Sequence, residues 1–184
     1  WQSVWLESVP TQHIAGLRVT PDLAGQAVVI TVEGEAGEAR VRIVDDGRVV
    51  ADHTVATNTA TAIAVPDPHP WSPADPFLYD LEITLGNDSV RSYIGMRSVA
   101  VVADAQGIPR LHLNGEPFLQ AGLLDQGYWP DGLYTAPSDE ALVWDIQFAR
   151  DLGFTMLRKH IKIEPARWYY HCDKLGMLVW QDMV

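Results

Sequence analysis

Three short strings near the end of the chain gather the residue types that do chemistry. Asp125, Gln126 and Trp129 supply an acceptor, an amide and an aromatic ring within five positions. Arg158, Lys159 and His160 stand in succession, and so do Trp180, Gln181 and Asp182. Three cationic or potentially cationic groups in a row are poorly explained by packing alone, because each charge needs a partner. Asp182 either accepts from a ligand hydroxyl or pairs with Arg158. His171 and Cys172 are the other reactive pair, but Cys172 falls on the apolar stripe of a helix and no H-E-x-x-H or second cysteine accompanies it. Core packing is the expected role of Cys172, and neither a metal site nor a cofactor is expected. The sequence holds no phosphate-binding glycine loop, serine nucleophile elbow or dinucleotide fingerprint.

Each string closes a run that reads as a buried strand, and those runs start near residues 118, 154 and 177. Between them lie two helices. Ser138 is placed to cap the first, Asp139 and Glu140 suit its positive end, and Leu142, Ile146 and Ala149 recur at helical spacing before Gly153. Pro165 opens the second, whose Trp168, Cys172 and Leu175 share one face before Gly176. Glu164 is expected to be an ordinary residue at that helix start. Strand, helix, strand, helix, strand predicts parallel pairing, with the three strings together at the C-terminal ends.

The first hundred residues follow a different period. Leu81, Ile83 and Leu85 alternate with Asp80, Glu82 and Thr84, and Val41 and Ile43 alternate with Arg40 and Arg42, as in antiparallel strands with one buried face. Further strands are expected at 1–9, 13–19, 27–33, 48–54, 59–65 and 89–95. They predict an immunoglobulin-like antiparallel β-sandwich over residues 1–102. The stretch 66–77 carries five prolines and is expected to be a rigid surface connection. Asn114-Gly115 signals a hairpin. The domain boundary is expected at 99–108, with 103–184 forming the first three βα elements of an incomplete TIM (β/α)8 barrel, a fold that needs roughly 250 residues.

The chain has 184 residues, 24 acidic and 13 basic, giving a net charge of −11. An acidic chain without a Lys/Arg block lacks the clustered charge that nucleic acids or anionic membranes require, so neither is an expected partner. No apolar run approaches the ~18 residues of a bilayer span. The sequence starts and stops inside strand-like runs, and it is expected to be an excised internal piece of a larger protein.

Several ordered strings carry a specific likeness: WQSVWLE at 1–7, Pro70-Trp71-Ser72-Pro73 followed by Pro76 and Leu78-Tyr79-Asp80-Leu81, Gly95-Met96-Arg97, Leu113-Asn114-Gly115-Glu116-Pro117, and His171-Cys172-Asp173 with Gly176. Together they resemble glycoside hydrolase family 2, which holds β-galactosidases, β-glucuronidases and β-mannosidases. The resemblance implies a jelly-roll domain before Trp1, a sandwich to about 102, and a catalytic barrel opening near 108. It also implies a retaining exo-β-glycosidase whose acid/base Glu ends the fourth barrel strand and whose nucleophilic Glu ends the seventh. Both would lie outside these residues, so no catalytic carboxylate is assigned here and the chain alone is expected to be inactive.

By the same resemblance, Arg158 would orient the nucleophilic carboxylate and His160 would donate to a sugar hydroxyl, with Asp125, Gln126, Trp129, Gln181 and Asp182 as further substrate-binding candidates. The galactosidase and glucuronidase branches usually carry Arg-x-x-His-Tyr-Pro, whereas here His160 follows Arg158 by two positions and Ile161-Lys162 comes next. The substrate of the intact protein would be a carbohydrate. A three-stranded sheet with open edges is expected to self-associate. The other reading is a non-catalytic carbohydrate-binding or protein-interaction module with a degenerate barrel.

Overall fold

The computed structural model describes residue 4 and residues 6–184. Among these, two compact units separate: one made of Leu6–Trp71 and Phe77–Pro117, the other including Ser72–Pro76 and Phe118–Val184.

In the first unit, β1 (Ile14–Asp22), β2 (Ala27–Gly34) and β5 (Thr61–Ala64) form one antiparallel sheet in the order β1-β2-β5. The second has the order β4-β3-β6-β7, built from β3 (Glu38–Asp45), β4 (Arg48–Ala56), β6 (Tyr79–Leu85) and β7 (Asp88–Ile94). The period of two explains the core. Val28, Ile30 and Val32 of one sheet join Val41, Ile43, Leu81, Ile83 and Leu85 of the other in one buried cluster. Alternate residues face outward, where Arg40 pairs with Asp52 at 2.6 Å and Arg42 with Glu82 at 2.5 Å. The result is a β-sandwich with each predicted strand from 13 to 95 in place.

The strand expected at 1–9 falls partly on residues 1–3 and 5, which lie outside the described residues. The remainder, residue 4 and residues 6–9, forms no strand, and Leu6 and Val9 are exposed. The proline-rich connection lies mostly at the surface as expected, with a buried anchor. Trp71 is wholly buried, its N–H donates to the Met96 carbonyl, and its own carbonyl accepts from Asn114 Nδ2 at 2.9 Å. The Arg97 guanidinium lies 4.4 Å over its ring. The prolines hold the chain extended, and Pro66, Asp67, His69, Pro70, Ala74 and Asp75 run over the surface as expected while Trp71 serves as a buried aromatic anchor.

Residues 99–117 fold as a third sheet in the order β10-β9-β8, from β8 (Val99–Ala103), β9 (Pro109–Leu113) and β10 (Glu116–Pro117), with the Asn114-Gly115 turn between the last two. They cluster with the sandwich up to Pro117.

The second unit contains β11 (Gly122–Asp125), α1 (Asp139–Asp151), β12 (Met156–Lys159), α2 (Ala166–Leu175) and β13 (Leu178–Gln181). The strands pair in parallel in the order β11-β12-β13. Ser138 Oγ accepts from the Ala141 N–H, and Gly176 takes the left-handed conformation that ends α2. Leu142, Ile146 and Ala149 from α1 meet Leu157, Trp168, Cys172 and Met177 in a second core. The strand predicted from Phe118 begins at Gly122 because pairing starts there: a Cβ at Gly122 would sit 2.6 Å from the Met156 carbonyl oxygen, so glycine permits the close approach.

Candidate functional site

Parallel register sorts the three strings onto two faces. Asp125, Lys159 and Gln181 stand opposite one another across β11, β12 and β13, and Leu124, Arg158 and Trp180 form the adjacent row. Side chains alternate across a strand. Leu157, two residues before Lys159, belongs to the helical core, so the Asp125-Lys159-Gln181 row faces the helices. The Leu124-Arg158-Trp180 row is exposed on the other face. The ladder continues past the strand ends, with His160 N donating to Asp125 O at 2.9 Å and Asp182 N to Lys159 O at 3.1 Å.

On the open face Arg158 and Asp182 form a two-point pair, Nε to Oδ1 at 3.0 Å and Nη2 to Oδ2 at 3.2 Å. The Arg158 fork holds the Asp182 carboxyl below the ordinary range, and Asp182 in turn raises Arg158. A carboxylate with a lowered folded-state pKa contributes its stability above the unfolded value and loses it as pH falls through the folded one, so this pair persists through mildly acidic conditions. Gln126 Nε2 lies 2.9 Å from His160 Nδ1. Immediately beyond, Ile161 has φ +50, an unusual conformation for a β-branched residue, and its N–H donates to Asp182 Oδ2 at 3.4 Å. Such strain persists only when the surroundings fix it, and it collects at functional sites.

The other candidates are held elsewhere. Asp125 accepts from Lys159 Nζ at 2.7 Å and from the Gly127 N–H at 2.8 Å. Gln181 accepts from Tyr169 at 2.5 Å and donates to the carbonyls of Lys162 and Asp182. The Trp129 ring packs against the helical core. Trp180, exposed on the open face, donates its indole N–H to Gln120.

Sequence reasoning missed the buried ions. Lys159 and Lys162 are 1% exposed and Glu164 4%. Glu164 is therefore no ordinary helix-start residue; its Oε1 receives Lys159 Nζ at 3.0 Å and Lys162 Nζ at 2.9 Å. The signal for Lys159 was parity, since it continues the Leu157 face of β12. Lys162 and Glu164 lie in a loop without period and carried no such signal. Cys172 is buried in the core as expected, and burial pushes its thiol far above the ordinary range, so it is no nucleophile at neutral pH.

Between β11 and α1 lies a recess of about 450 Å³ lined by Leu123–Tyr128, Asp145, Phe148, Ala149 and Leu157. Burial there raises the Asp145 carboxyl, Asp125 adds repulsion, and Lys159 partly opposes both. A raised folded-state pKa gives stability that is full below the unfolded value, ~3.9, and is lost as pH rises through the folded value. Asp145→Asn is therefore expected to raise the melting midpoint at pH 7 only slightly, by at most about 1 °C once solvent screening of this half-exposed carboxyl is allowed for. Near pH 3 the gain should vanish; an equal change at both pH values in thermal melts would contradict the assignment.

Residues 12–97 match the family model described as Glycosyl hydrolases family 2. A β-galactosidase from Lactococcus lactis subsp. lactis is 24% identical over 195 residues, covering 99% of this chain and 19% of that protein. A β-D-glucuronidase structure from Dictyoglomus thermophilum superposes with a TM-score of 0.82 at 22% identity, covering 94% of this chain and 30% of that one. Faecalibacterium prausnitzii β-glucuronidase gives 0.78 at 25% identity, covering 92% and 28%. The chain thus spans about a fifth of that galactosidase and under a third of the solved enzymes.

Proposed function

We propose, from the match of residues 12–97 to the family model described as Glycosyl hydrolases family 2, that the chain is part of a retaining exo-β-glycosidase of that family. In this reading the sandwich is immunoglobulin-like and β11, β12 and β13 open a TIM (β/α)8 barrel. The supporting observation is the meeting of Arg158, Asp182, His160 and Gln126 at the C-terminal ends of three parallel strands, where barrel enzymes carry their chemistry. Retention needs two carboxylates about 5–5.5 Å apart, one as nucleophile and one as acid and then base. Both come from the rest of the protein, and these residues bind and orient.

Arg158, already fixed by Asp182, holds the nucleophilic carboxylate. His160 donates to a sugar hydroxyl, with Gln126 beside it. Asp182 sets the Arg158 fork. Asp125, Gln181 and Trp129 support the loops that present this face. The sugar is a terminal β-linked galactoside, glucuronide or mannoside. The reading is tested by hydrolysis of an aryl β-galactoside, glucuronide, mannoside and glucoside panel by the full-length protein, with the 184-residue chain beside it. Turnover by the full-length protein alone supports the proposal; turnover by the chain alone, or silence from both, contradicts it, and silence favours a non-catalytic module.

The open edge carries a separate expectation for the isolated chain. Leu123, Leu124 and Phe148 are exposed around the outer side of β11, which pairs with no other strand than β12 among the described residues, and a strand edge beside apolar surface is a template for pairing. Sedimentation velocity at rising concentration should find dimers and larger species, lost on Leu124→Lys; a monomer at all concentrations would contradict it.

A further inference from the structure

Behind the open face, Lys159, Lys162 and Glu164 form a set of buried ions that reaches out to the partly exposed Asp125. Glu164 joins the two ammonium groups, and Lys159 reaches on to Asp125 while its Nζ lies 4.2 Å over the Trp168 ring. Lys162 spends its other protons on two carbonyls of one loop, Gly127 O at 2.8 Å and Tyr134 O at 2.7 Å. Its counter-ion is Glu164, whose Oε1 lies 2.9 Å from the same ammonium. Taking such charges out of water is costly, and replacing them with apolar residues is often neutral or stabilising, so core stability alone is a weak reason to keep them.

Gly127 is pressed against this set. Its φ is +64, and a Cβ there would stand 2.3 Å from Glu164 Oε1 and 2.8 Å from Lys162 Nζ. The residue before it is Gln126, whose amide nitrogen meets His160 Nδ1 at 2.9 Å. With the Gln126 amide nitrogen toward the ring, Nδ1 is the acceptor, and the ring proton of neutral His160 is then on Nε2.

We propose that the buried Lys162–Glu164 pair is a positioning device: by seating Gly127 it holds Gln126 against His160 and fixes His160 as the Nε2–H tautomer. This rests on the proposed glycoside site for its purpose, where Nε2–H is the donor to the sugar hydroxyl, but not for its measurement. Lys162 and Glu164 act through Gly127 and Gln126 and touch no substrate.

The experiment is 15N NMR of the histidine rings of the 184-residue chain at pH 9, above the ordinary imidazole range, with His160 assigned by loss of its signals in His160→Gln. The wild type should carry its proton on Nε2. Gln126→Leu, Gly127→Ala and Lys162→Met should each shift His160 to a mixture of tautomers, while far-UV circular dichroism reports which variants fold. Gln126→Leu alters a half-buried side chain outside the ion set, so it tests the His160 end even where Lys162→Met unfolds. A proton on Nδ1 in the wild type, or an unchanged tautomer in folded Gly127→Ala, overturns the proposal.

Kinetics separate this from the glycosidase reading. In an active full-length protein, Gly127→Ala should lower kcat about 10- to 100-fold, in the range of small misplacements, with KM changed far less. A full-length protein that hydrolyses no glycoside refutes the functional reading and leaves the tautomer result standing. An active protein with an unshifted tautomer in Gly127→Ala refutes the positioning role alone.

Discussion

Glu164→Ala should cost the α/β unit about 3–5 kcal/mol, the range found when one partner of a buried ion pair is removed. Glu164 is 4% exposed and its Oε1 is the acceptor shared by Lys159 and Lys162. Without it, Lys159 retains Asp125, but Lys162 is left with two neutral carbonyls and a full charge out of water. The double variant Lys162→Met with Glu164→Leu should recover much of the loss, because it removes both the charge and its partner. Urea unfolding followed by tryptophan fluorescence checks both. A loss in Glu164→Ala below about 1 kcal/mol, or a double variant less stable than the single, would show that the ions are not mutually dependent.

Arg158→Ala should lower kcat of the full-length protein by at least about 100-fold, the scale on which a displaced reacting group costs rate. The guanidinium uses Nε and Nη2 on Asp182, so its orientation is fixed while the rest of the fork remains to take a second carboxylate. Arg158→Lys keeps the charge but not the two-point geometry and should remain strongly impaired. Asp182→Asn keeps one acceptor and should fall between wild type and Arg158→Ala. Steady-state kinetics on the preferred aryl glycoside decides: an Arg158→Ala variant within threefold of wild type would remove Arg158 from the site.

Periodicity made the fold readable where burial is one-sided. Leu81, Ile83 and Leu85 alternate with polar neighbours and lie in the sandwich core, and Leu142, Ile146 and Ala149 recur as the buried stripe of α1. Ser138 and Gly176 marked helix ends by their backbone chemistry. Tertiary context set what local pattern does not encode. Trp71 lies in a proline-rich segment without period, so its burial depends on Met96 and Asn114 from far along the chain. The third sheet at 99–117 was partly visible as the Asn114-Gly115 turn, but Val99–Ala103 is exposed throughout and has no alternation to read.

The site divided in the same way. That Arg158 and Asp182 meet follows from two parallel strands of matching length, and the pairing was one of the two roles open to Asp182. The Asp125 and Gln181 side chains point to the helices because of strand parity, which depends on where pairing starts, and Gly122 moved that start from the apolar run at Phe118. Lys162 and Glu164 were illegible because isolated charges in a loop ordinarily lie in water; only the folded loop, with Gly127 against them, explains their burial.

In the proposed function these residues bind and orient, and the covalent chemistry belongs to carboxylates in the rest of the protein. The most direct test of this division is mechanism-based labelling of the full-length protein with a 2-deoxy-2-fluoro aryl glycoside of the preferred sugar, followed by peptide mapping. One glycosylated carboxylate is expected outside residues 1–184, formed much more slowly in Arg158→Ala. A glycosylated residue within 1–184, or hydrolysis with inversion and no label, would contradict it.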